Sequence, residues 1–135
     1  MLPSFAVPTS AAGGADTPAE KRVWMAIGER RFSITLADTE GARAFAAMLP
    51  LTLDMPDLNG NEKHVKLSRP LPTASTTPRT IRTGDLMLWG SDTLVVFYLT
   101  FDSPYSYTRT GRIDDPAALS QVLGRGEVRV VFTKN

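Results

Sequence analysis

The sequence predicts a mainly β fold: a closed, mostly antiparallel barrel with two short capping helices. Three observations carry this. Short segments of alternating or continuous apolar character recur along the chain, separated by Gly, Asn and Asp turn signals. Helical periodicity appears in only two short places. Strands and helices do not alternate in the way a doubly wound parallel sheet requires, and closure removes the edges that about seven or eight strands would otherwise expose.

Taken in order, Arg22 to Ile27 and Arg30 to Leu36 read as a hairpin joined by Gly28-Glu29. In the second arm Phe32, Ile34 and Leu36 share one face and Arg31, Ser33 and Thr35 the other, which marks a half-buried strand. Asp38-Thr39-Glu40 opens a helix, with a capping residue followed by an acid in the first turn. Ala42, Phe45, Ala46 and Leu49 form its single apolar stripe, and Pro50 ends it. Leu51 to Met55 alternates again and leads into the polar segment 56–63, where Asn59-Gly60 is a strong turn signal. Residues 69–80 hold Pro70, Pro72 and Pro78 with a Ser/Thr run, which predict a loop or edge crossing there.

Leu86 to Trp89 and Thr93 to Thr100 read as two strands joined by a tight turn. The second is so continuously apolar that burial on both faces is expected, as where a capping helix covers a barrel strand. Ser106 to Ile113 is a further strand. Asp114-Asp115-Pro116 predicts a helix start, with the acid as cap rather than one of a catalytic carboxylate pair, and Gly124 stops the helix that runs from Ala117 to Leu123. Glu127 to Thr133 closes the chain, with Val128, Val130 and Phe132 on one face.

A length of 135 residues predicts one domain with a real core, here expected over residues 21–135 behind a flexible arm at residues 1–20. That arm, rich in Pro, Ala, Gly and Thr, lacks the basic start of a signal peptide. The cytoplasm is the favoured compartment, with export open if a leader has been removed. A net charge of +1 with scattered basic residues gives no footprint for nucleic acid. No apolar run approaches the roughly 20 residues of a membrane helix. With no cysteine and one histidine, disulfides, thiol nucleophiles and a zinc site are not expected, and no cofactor is called for. No esterase elbow, phosphate loop or dinucleotide fingerprint occurs.

Several blocks together resemble a family of bacterial cyclophilin-like domains: the run 42–53, the run 57–63, Gly84 to Gly90, Leu94 to Tyr98 and Tyr105 to Asp115. The resemblance spans roughly Val23 to Phe132 and implies an eight-stranded barrel with two helices plugging its ends. True cyclophilins isomerise X-Pro bonds, lowering a barrier of about 18–20 kcal/mol, with an arginine in a Phe-His-Arg strand motif, a glutamine and an apolar proline pocket. This chain has no Phe-His-Arg; its nearest region holds His64 and Arg69, five apart and without a Phe. No catalytic residue is therefore carried over. In the stretch resembling the pocket wall, Trp89 stands where a small residue would and is placed to fill the proline pocket.

The candidate ligand-binding residues are Asn59, Asn61, Glu62, Lys63 and His64 on the polar segment, with Trp89, Tyr105 and Tyr107 as aromatic walls. The alternatives are turn hydrogen bonding for the Asn residues and core packing for the aromatics. An oxygen-rich calcium loop is disfavoured because the EF-hand spacing is absent. The expected function is binding of a small molecule or peptide in a surface cleft by a monomer or weak dimer. A weak isomerase using a displaced arginine such as Arg69 is the alternative.

Overall fold

The computed structural model describes residues 21–135, so the expected arm at residues 1–20 lies outside the described residues. Nine strands form one antiparallel sheet. In chain order they include β1 (Arg22–Ile27), β2 (Arg30–Leu36), β3 (Leu51–Met55), β4 (Asp57–Leu58) and β5 (Glu62–Lys66). They continue with β7 (Asp85–Trp89), β8 (Thr93–Phe97), β10 (Thr108–Ile113) and β11 (Val128–Thr133). A separate two-stranded ribbon pairs β6 (Thr80–Ile81) with β9 (Phe101–Asp102). The helices are α1 (Glu40–Ala47) and α2 (Leu119–Leu123).

The large sheet runs β3-β11-β1-β2-β10-β7-β8-β5-β4, so its two terminal strands are neighbours in sequence, joined through Pro56. This makes a nearly closed barrel. Its strand count is nine rather than the expected eight, because Pro56 has no N–H and splits one bent segment between two partners. The first half pairs with β11, from Leu51 opposite Phe132 to Met55 opposite Val128. The second half turns to β5, where Asp57 faces Lys63 and the Pro56 carbonyl accepts from the His64 N–H at 3.2 Å.

The opening hairpin forms with the expected ends, Ile27 opposite Arg30, and Gly28 takes the left-handed φ of 59° that the turn demands. Its inward residues Val23, Met25, Phe32 and Ile34 are buried in the barrel core. In α1 the N-cap is Thr39, whose hydroxyl accepts from the Ala42 N–H at 3.0 Å and donates to the Arg109 carbonyl at 2.8 Å. Asp38 pairs instead with Arg43. Phe45 enters the core edge-on to Phe132, with ring centroids 5.3 Å apart.

The second helix is shorter than expected. It is a single turn from Leu119, capped by Ala118 without a side-chain hydrogen bond. Asp115, the acid expected as cap before Pro116, accepts from the Ala117 N–H at 3.4 Å ahead of the helix. Asp114 accepts from the hydroxyls of Ser33 at 2.6 Å and Thr35 at 2.5 Å, tying the helix approach to β2. Gly124 ends the helix as expected, with a φ of 61°.

The burial of both faces of β8 is borne out, and β7 shares it, but the cover differs from the expected helix. Leu86, Leu88, Leu94 and Val96 point into the barrel. Met87, Val95 and Phe97 point outward into a second apolar cluster with Ile81, Tyr107 and Phe101. The proline-rich crossing and the β6/β9 ribbon therefore form an outer layer. Phe97 packs against Phe101 and stands edge-on to Tyr107 at 5.5 Å. Thr76 bridges to Tyr107 to hold the crossing in place. The strand read as reaching Thr100 ends at Phe97, because the chain leaves the barrel there to build this layer.

Candidate functional site

The residues of the polar segment form a hairpin. Asn59 and Gly60 both have positive φ, 59° and 67°, the pattern of an Asn-Gly turn between antiparallel strands. Asp57 steadies the turn by accepting from the Gly60 N–H at 2.9 Å. The arm beyond the turn is β5, a strand the sequence reading left inside a loop. It pairs with β8 so that Glu62 faces Phe97, Lys63 faces Val96 and His64 faces Val95.

Strand alternation then sorts the segment. Phe97 and Val95 face outward and Val96 faces inward, so Glu62 and His64 lie on the outside of the barrel wall and Lys63 on the inside. Lys63, expected in the cleft, is instead fully buried. Its ammonium donates to Asp57 Oδ1 at 3.0 Å and to the carbonyls of Gly124 and Gly126 at 2.7 and 2.6 Å, and it lies 5.3 Å from the Tyr98 ring centre. All three of its protons have acceptors. Asp57 also accepts from the Tyr98 hydroxyl at 2.5 Å. Burial works against the Asp57 charge, but the hydrogen bonds from Tyr98, Lys63 and Gly60 outweigh it and hold the carboxyl below its ordinary range. Burial, reinforced by that bond to Asp57, pushes the Tyr98 hydroxyl up to about 12.

Outside the wall lies a cleft of about 500 Å³. Asn59, Asn61, Glu62 and His64 border it on the hairpin side, and Trp89, Tyr105 and Tyr107 on the aromatic side. The structure thus brings together seven of the eight expected residues. Trp89, at the end of β7, is 53% exposed and borders the cleft. Sequence reasoning missed the segment Phe101 to Pro104, which lines the opposite rim, and Leu58, Thr93 and Val95 along the floor and edges. The alternation of β5 and β8 was the signal that points to Thr93 and Val95; nothing in the run 101–104 marks it as a rim.

Two groups in the cleft lack partners. Glu62 is 8% exposed and its carboxyl makes no hydrogen bond or ion pair among the described residues. Burial, with the nearby charge of Asp57, pushes it up to about 7. Asn61 Oδ1 is buried without a donor. Tyr107 and Ser103 satisfy each other at 3.3 Å, and burial raises the Tyr107 hydroxyl above its ordinary value. Arg69 is exposed and does not line the cleft, nor does any other arginine among the described residues. No group of three or more His, Asp or Glu side chains is placed to hold a metal among the described residues.

These features place the chain in a fold class, a β-barrel with an outer cleft, and sequence comparison supplies the family. The model of the cyclophilin-like family matches residues 25–133, and the chain belongs to that family. A solved structure with the same fold is the solution structure of the hypothetical protein AF2241 from Archaeoglobus fulgidus. It superposes with a TM-score of 0.54 at 15% identity, covering 89% of this chain and 98% of that one. No curated protein matches the sequence. No helix among the described residues is long and apolar enough to cross a membrane.

Proposed function

We propose that the protein is a binding barrel that holds a small molecule or short peptide in the outer cleft. One observation carries the reading. Of the four large hydrophobic residues exposed among the described residues, Leu58, Trp89 and Tyr105 all border this one cleft, where an unpartnered Glu62 waits beneath them. Scattered exposed apolar residues need no explanation, but their convergence on a concave site with few polar groups is the pattern of ligand pockets. The volume of about 500 Å³ falls within the range such pockets occupy.

Isomerisation of X-Pro bonds is the less supported reading, because the cleft offers no arginine to carry it. An assay on an X-Pro peptide at micromolar protein separates the two readings: binding alone predicts the rate of buffer.

The direct test is a fragment screen followed by nuclear magnetic resonance on labelled protein. Ligands are expected to shift the Asn61, His64 and Tyr105 amides. Trp89→Ala and Asn61→Ala are expected to weaken them at least about tenfold. Because Trp89 is half in solvent, its loss leaves stability within about 0.5 kcal/mol. Fragments that bind the Trp89→Ala protein equally well, or no fragment shifting these amides at millimolar concentration, would overturn the proposal.

A further inference from the structure

The polar chemistry of the cleft is one-sided. Its lining holds no lysine and no arginine among the described residues, and both of its acidic side chains, Glu62 and Asp102, stand there without a cation. Asp102 accepts only from the Thr80 hydroxyl at 3.1 Å, and Thr80 is uncharged. Lys63, which the chain places next to Glu62, is turned through the wall and held by Asp57 and two carbonyls. Asn61 Oδ1 is a buried acceptor with no donor, and Glu62 is nine-tenths buried with no partner. The walls add the exposed rings of Trp89 and Tyr105, whose faces attract cations.

We propose that the ligand is an organic ammonium ion carried on an apolar or aromatic body. The inference rests on the reading of the cleft as a binding site and names the ligand's chemistry. The N–H groups would meet Glu62 and Asn61 Oδ1, which the protein leaves without donors, and the apolar body would lie along Trp89 and Tyr105. A carboxylate or phosphate would face two acids and a bare carbonyl oxygen, with no donor of opposite charge. A neutral ligand would leave the charge of Glu62 unpaired whenever it ionises.

The titration of Glu62 is consistent with this chemistry, since a carboxyl held up by burial and by Asp57 ionises when a cation arrives. Other titratable groups facing the region are Asp57 with its bound Tyr98, Tyr107, Tyr105, Asp102 and His64, and Arg125 packs over Gly60. Only Glu62 combines deep burial with the lack of any partner. Ammonium binding therefore takes up the ionised form, and affinity is expected to fall about 30-fold from pH 8 to pH 5.5 as that form is depleted.

The test uses three probes of one shape, 2-phenylethylammonium, 2-phenylethanol and 3-phenylpropanoate, titrated into labelled protein while the cleft amides are followed. The cation is expected to bind at least about tenfold more tightly than either of the others, and Glu62→Gln is expected to remove that preference and its pH dependence. A neutral or anionic probe binding as well as the cation overturns the ammonium inference and leaves the cleft reading standing. No probe of any charge shifting the cleft amides overturns both. The comparison on the unaltered protein decides the matter even if Glu62→Gln disturbs the fold. Phenylalanyl-alanine amide with a free amino terminus, set against 2-phenylethylammonium and against its own acetylated form, extends the test to a peptide end. The acetylated peptide binding as tightly as the free one would also overturn the inference.

Discussion

Replacing Glu62 by Gln is expected to make the protein more stable at pH 8 and to leave it unchanged near pH 4.5. The side chain is 8% exposed, and its carboxyl has no partner to compensate for lost water. In the unfolded chain it gives up its proton near 4.5, whereas burial and the charge of Asp57 hold the proton to about 7 in the fold. Between those values the folded state binds more protons than the unfolded one, so stability falls as pH rises. The fall is complete once pH passes the folded value. Each pH unit is worth about 1.4 kcal/mol and the interval is about 2.5 units, which sets a ceiling; because the carboxyl oxygens still meet solvent, the expected loss is about 1–2 kcal/mol. Glutamine keeps the shape without an ionisable proton and does not carry this penalty. Urea unfolding followed by tryptophan fluorescence at pH 4.5, 6, 7 and 8 reads the difference directly. With a slope of about 1–3 kcal/mol per molar, the midpoints of the two proteins should separate by about 0.5–2 M at pH 8. Midpoints that stay parallel across the series would show that Glu62 ionises freely, and would refute the account of its burial.

Three further substitutions probe the frame. Lys63→Met fills similar space but takes the cation from Asp57 Oδ1, leaving it the Tyr98 hydroxyl alone, and strands the Gly124 and Gly126 carbonyls, so a loss of about 3–5 kcal/mol is expected in thermal melts. Unchanged stability would mean that these acceptors find water. Tyr98→Phe removes the 2.5 Å bond to Asp57 and is expected to cost about 1–3 kcal/mol at pH 7. Because the Asp57 carboxyl is held below 3.8, that contribution is present above this value and lost as pH falls through the lowered one, so the two proteins should converge towards pH 2 in acid unfolding. Gly111→Ala puts a methyl 2.8 Å from the Thr35 carbonyl and 2.9 Å from Ile34 Cγ2, and a loss of about 1–3 kcal/mol is expected from urea midpoints.

The parts of the fold that were legible are those where local chemistry and tertiary environment agree. The β1–β2 hairpin was readable to its end residues because Gly28 supplies the turn and the alternation of Phe32 and Ile34 with Arg31 and Ser33 records the single buried face. The Asn59-Gly60 turn was legible for the same reason, whereas residue type alone could not separate Tyr107, which joins the outer apolar cluster, from the exposed Trp89 and Tyr105. What the sequence hid is what distant segments decide. Pro56 could be seen as a break, but not as the corner that makes the two ends of the sheet neighbours. The doubly buried β8 announced a cover, yet the apolar run cannot say whether a helix or the β6/β9 ribbon supplies it. Asp114-Asp115-Pro116 has the sequence of a helix start, and only the approach of Ser33 and Thr35 turns Asp114 to another use.

Lys63 is the instructive error, and correcting it explains how the cleft is built. Asn59 and the run from Asn61 to His64 invite a reading as one binding loop, but a strand of period two cannot present neighbours to the same side. The inward position anchors the hairpin: Lys63 ties β5 to Asp57 and to the loop between α2 and β11, with every donor used. The outward positions on either side, Glu62 and His64, inherit that rigidity while making no side-chain bonds of their own among the described residues. A mobile acid would swing fully into solvent and shed the burial penalty; a carboxyl on a pinned strand keeps part of it. The buried lysine inside the wall is thus the physical reason an unpartnered acid persists outside it, and the binding chemistry proposed for the cleft depends on a residue that never touches the ligand.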